Sequence, residues 1–234
     1  MLSYWIFIFD NKMNNQELDV SNYHKESEKI EASFFAELIL LLSPLVMTLS
    51  SIYPLTKQRI DAEVLSWKIA NNDAVKNINK EHIDKALAVV DKIFKKKVAT
   101  DSIIYVDANE DLINNILGDL AIKFKELAII DQAYPMSKEA RDDYLDSIQR
   151  SLDDKIELFS TMSTISTIRA MMFDNATEEG YTEYQWHTQR DRRVRPTHAY
   201  MDGRWVNFND PPKETGGYHV AQDWGCRCFA SKFR

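Results

Sequence analysis

The sequence predicts an α+β protein, with a mainly helical N-terminal region over residues 1–180 and a small β-rich, loop-rich C-terminal module over residues 181–234. Three observations carry that division. Apolar residues recur at helical spacing from about residue 56 to residue 179. Gly180 stands where a helix most often stops, and beyond it the period changes to that of short strands. The charge also changes sign. Residues 186–234 hold 9 basic and 5 acidic side chains, leaving 20 and 31 for the rest of a chain of net charge −7. Such an asymmetry points to separate surfaces for separate partners.

Taken in order, residues 4–9 form a short apolar run without a basic leader or a small-residue cleavage site. It reads as a strand, a docking arm or a buried terminus rather than a signal peptide. Residues 38–56 carry no charge and approach the roughly 20 residues that span a bilayer. Glu37, Ser43, Pro44, Thr48, Ser50, Ser51 and Pro54 interrupt that stretch, so two core helices meeting near Pro44 are expected, and membrane insertion is not. Successive helix faces are marked by Ile60, Val64, Leu65 and Ile69, by Ile83, Leu87, Val90 and Ile93, and by Ile113, Ile116, Leu120, Phe124 and Leu127. Lys95, Lys96 and Lys97 suit a helix C-terminus, and Ala99, Thr100 and Asp101 a new start. After Tyr134 and Pro135, Ser137 is a predicted N-cap for a helix whose apolar face is Leu145, Ile148, Leu152 and Ile156. A further helical stretch is expected over about 160–179, through Ile165, Ile168, Met171 and Met172. Strands are predicted around Tyr184 and Trp186, over 204–208 and over 227–233, with turns at Asp202, Gly203 and at Pro211, Pro212.

Chemistry is concentrated in residues 186–228, which hold both cysteines and three of the five histidines. A net charge of −7 argues against a general nucleic-acid coat, while local contact with DNA stays open. Cysteines one residue apart make a poor disulfide, because so small a ring strains the bond's preferred geometry. On an extended segment Cys226 and Cys228 leave the same face and can grip one metal. With His198 and His219 they match the donor types of a closed tetrahedral zinc site, which would be structural; the other reading is two thiols that pack. His187 is a substitute ligand in that scheme, although its place beside Trp186 favours a surface or packing role. Arg190, Arg192, Arg193 and Arg195 could hold phosphate or an acidic partner through forked donors, or be tied internally around Asp191. Asp202 is first a turn residue and second a candidate carboxylate base.

Trp186, Thr188, Asp191, Arg193, Val194, Arg195, Pro196, His198, Asp202, Gly203, Pro211, Pro212, Trp224, Gly225, Cys226, Arg227 and Cys228 resemble, in order and approximate spacing, the C-terminal signature of the phage head morphogenesis family, minor head proteins similar to phage Mu protein F. The resemblance spans about residues 165–230. Arg169 stands where many relatives have an Arg-Thr-Glu run, and the acid is missing here. The resemblance implies a minor capsid component of a tailed double-stranded DNA phage or prophage, located in the virion and contacting portal and capsid proteins. It supplies no catalytic activity. The competing classes are a metal-dependent nuclease or toxin domain, which needs an open metal position and a general base near His198 or Asp202, and a membrane-active ejection protein, which rests on residues 38–56 alone.

Overall fold

Apolar residues three and four apart build four long helices: α1 (Tyr23–Ser51), α2 (Lys57–Phe94), α3 (Ser102–Ala133) and α4 (Lys138–Glu178). The computed structural model describes residues 17–95 and 102–234, with residues 102–108 described by backbone alone; the run at 4–9, Lys96, Lys97 and the expected helix start at 99–101 lie outside the described residues. Ser137 caps α4 by accepting the Ala140 N–H at 3.2 Å, as predicted, and Thr56, which had no such prediction, caps α2 by accepting the Arg59 N–H at 3.3 Å. Short connections make the helices alternate in direction, so α2 and α4 run the same way.

Two expectations about the helices are corrected. A single helix runs through Pro44 instead of breaking there. Pro44 is exposed, so the Leu40 carbonyl it leaves unpaired lies on the solvent side, and the hydroxyls of Ser43 and Thr48 close bonds to Ile39 O and Pro44 O at 2.7 and 2.9 Å. By length and composition α1 could cross a membrane, but its stripe Phe34, Leu38, Leu42, Leu45 and Leu49 is buried in the bundle. Likewise α4 is one helix across the expected junction near Ser160. On α2, Ile60 and Val64 are buried but Leu65 and Ile69 are 59% and 73% exposed, because Trp67 continues the inward stripe.

The sheet is antiparallel and ordered β1-β4-β2-β3, with β1 (Leu18–Asp19), β2 (Glu183–His187), β3 (Trp205–Asn207) and β4 (Phe229–Phe233). A short helix, α5 (Pro196–Met201), lies between β2 and β3. The strand β1 had no prediction: it precedes α1 and pairs with the last strand, Leu18 opposite Phe233. Gly180, at φ +87°, turns the chain from α4 towards β2. One apolar cluster joins the four helices through residues such as Leu42, Phe124 and Leu152. A second places Tyr184, Trp186, Val206 and Phe233 of the sheet against Ile83 and Val90 of α2 and Ile168 and Met172 of α4. Residues 181–234 therefore share their core with the helices.

Between the two clusters lies a polar layer. The Ser163 hydroxyl donates to Asn109 Oδ1 at 2.6 Å, which turns the Asn109 amide N–H towards His82 Nδ1 at 3.4 Å. His82 is thereby held as the neutral Nε2–H tautomer, donating to Thr164 Oγ1 at 2.9 Å, with its ring stacked on Phe34 at 4.0 Å. Burial pushes the His82 pKa down to about 4, with the Lys85 charge adding.

Candidate metal centre

His198 is delivered by α5, whose first residue, Pro196, has the fixed backbone suited to starting a helix. Cys226 and Cys228 occupy the turn that leads into β4. Folding brings them together: Cys226 Sγ lies 3.4 Å and Cys228 Sγ 3.6 Å from His198 Nδ1. The three donor atoms all lie within 4.8 Å of one another, and all three residues are buried. Both cysteines are free thiols.

A second ring of residues orients these donors. His198 Nε2 is 3.7 Å from Asp223 Oδ2, and the Arg195 guanidinium grips Asp223 while also donating to Trp224 O. A carboxylate behind an imidazole draws the ring proton to its own side and leaves the other nitrogen free to ligate. Trp186 of β2 stands edge-on to His198, with centroids 5.5 Å apart at 86°. The Trp186 Nε1 is buried without a hydrogen-bond partner, and it favours the charged form of Cys228. A buried N–H of this kind is satisfied when the nearby sulfur is an anion.

Contact with Cys228 holds the Cys226 thiol below its ordinary value, with burial opposing and the N–H groups of Cys228 and Ala221 adding. The same contact, together with burial, pushes the Cys228 thiol up. A divalent cation binding here would displace the thiol protons. Soft sulfur beside a neutral imidazole is a donor set that fits zinc.

His219 does not join them, which corrects the expected four-residue set to three. Its Nδ1 lies 3.1 Å from Tyr184 Oη and its ring stands edge-on to Phe173, so the loop before Cys226 packs this histidine against β2 and α4. His187 is also elsewhere, 3.2 Å from Asp202 Oδ1. Asp202 accepts the Thr188 N–H at 2.9 Å and pairs with Arg190 at 3.0 Å. Burial raises its pKa, but those two partners outweigh it and the net shift is downward. Asp191 is lowered chiefly by Arg227 and then by the Arg193 N–H. The four predicted arginines therefore divide: Arg190 and Arg195 brace the module internally, whereas Arg192 and Arg193 are exposed and make no ion pair among the described residues. Sequence reasoning missed Asp223 and Arg227. For Asp223 the only signal was an acid three residues before the first thiol.

The fold and site define a helical bundle carrying a small antiparallel sheet, with a buried Cys-Cys-His cluster beside it. Residues 154–231 match the family described as Phage Mu protein F like protein. An uncharacterized protein of Haemophilus influenzae is 33% identical over 76 residues, which is 32% of this chain. The aligned part spans only 17% of that relative's length. No solved structure matches.

Proposed function

We propose that this chain is a minor head protein of a tailed double-stranded DNA phage or prophage, associated with the portal vertex and acting in head assembly or in DNA packaging and ejection. The observation that carries this reading is the family match over residues 154–231, which includes the whole Cys-Cys-His cluster. In this reading the acidic helical bundle supplies the main contact to portal and capsid subunits. Exposed Leu40 and Met47 on α1, with Ile122 and Ile129 on α3, give it apolar docking points. Arg192 and Arg193 offer a local contact to packaged DNA. The cluster would bind zinc as a structural clamp on the sheet, holding β4 to α5 where few apolar strands exist to do so. A nuclease reading needs a general base beside the metal donors, and Asp202 is held by Arg190, Thr188 and His187. The test is location. Mass spectrometry of purified heads should find the protein there rather than free in the host cytoplasm, and deleting the gene should impair head formation. Normal heads from the deletion strain, with the protein absent from them, would overturn the reading.

A further inference from the structure

Zinc held by protein groups asks for four ligands, and this fold supplies three. The two nearest candidates for the fourth are both committed. Asp223 sits on the far ring nitrogen of His198 and is gripped by Arg195. His219 is bonded to Tyr184. Among the described residues no other His, Cys, Asp or Glu joins the cluster.

What does adjoin the donors is a cavity of about 60 Å³, lined by His198, Cys226 and Cys228 together with Arg193, Arg195 and Arg227. Its charge is one-sided. A divalent ion with two thiolates and a neutral imidazole is electrically neutral, so the arginines set the sign of the rim. Arg195 and Arg227 are paired with Asp223 and Asp191, which leaves Arg193 without an ion pair among the described residues.

We propose that a divalent metal on His198, Cys226 and Cys228 keeps its fourth position open to this cavity, held by solvent and exchangeable for a carboxylate, one of whose oxygens Arg193 receives. This rests on the metal reading above. It makes the centre, besides joining α5 to the segment before β4, a receptor for an acidic group, either a small free acid or an acidic side chain of a neighbouring protein. Arg193 suits the task because its guanidinium N–H groups make charge-assisted bonds to a carboxylate oxygen.

The experiment uses the full-length chain, purified reduced and loaded with Co²⁺, whose visible d–d bands report the ligand set while the sulfur charge-transfer band reports thiolate binding. Titration with acetate should shift the d–d bands saturably. In Arg193→Ala the midpoint should rise at least tenfold, with Arg193→Lys in between. A tripeptide with a central aspartate and both ends blocked separates the sources: a shift with acetate and peptide supports side-chain capture, and a shift with acetate alone supports a small acid. A charge-transfer band with d–d bands indifferent to acetate would overturn this inference and leave the metal reading standing. Failure to bind Co²⁺ at all would overturn both.

Discussion

Acidification should destabilise the helical bundle through His82. The ring is 2% exposed and must stay neutral to accept from Asn109 while donating to Thr164. Its folded pKa is lowered from 6.5 to about 4, so between those values the unfolded chain binds a proton that the folded chain refuses. Stability therefore rises with pH across this window, is fully present above about 6.5, and is lost as pH falls towards 4. A shift of about 2.5 units at about 1.4 kcal/mol per unit corresponds to roughly 3 kcal/mol, a large part of the usual 5–15 kcal/mol of a domain. The comparison is urea unfolding of the wild type and His82→Gln at pH 7 and pH 4, followed by circular dichroism. Carboxylates and thiols titrate alike in both proteins, so the difference between their pH dependences isolates the histidine. Wild type should lose about 3 kcal/mol more than the variant. Parallel curves would show that His82 is solvated or already charged in the native state, and the hydrogen-bond assignment would fall with it.

Other outcomes follow from the same contacts. Asp223→Asn should lower metal affinity about 10- to 100-fold while leaving the fold intact, because it removes the negative charge behind His198; chelator competition measures it, and unchanged affinity would remove Asp223 from that role. His198→Ala should abolish zinc stoichiometry whereas His219→Ala should preserve it, and elemental analysis showing zinc lost from both variants would restore the four-residue set. Replacing Gly180 by alanine should cost about 1 kcal/mol, because φ is +87° there while the space around the site is open; an unchanged unfolding midpoint would mean the turn relaxes freely.

Long amphipathic periods were legible because burial repeats them locally: Ile148, Leu152 and Ile156 all face the core, and the cap Ser137 sits where a side-chain oxygen must meet free N–H groups. The metal donors were legible as residue types and only partly as a set. The spacing of Cys226 and Cys228 is a local property, whereas which histidine reaches them depends on how two loops fold back. Tyr184, in the strand paired with β3 and β4, captures His219. The strand β1 had no local signature, since two residues in a polar stretch become a strand only by meeting β4 from the far end of the chain.

Residues 160–167 show the same conflict between local and distant causes most directly. Ser160, Thr161, Ser163, Thr164 and Thr167 are hydroxyl residues of the kind that compete with the helix backbone, so they read locally as a boundary. All five are buried inside a continuous α4, and Ser163 and Thr164 are spent on Asn109 and His82 from α3 and α2. A helix that carries so many poor helix formers at its centre persists because it is buried and tertiary partners satisfy hydroxyls such as those of Ser163 and Thr164. Those partners lie 54 and 82 residues away in the chain, beyond the reach of any local period.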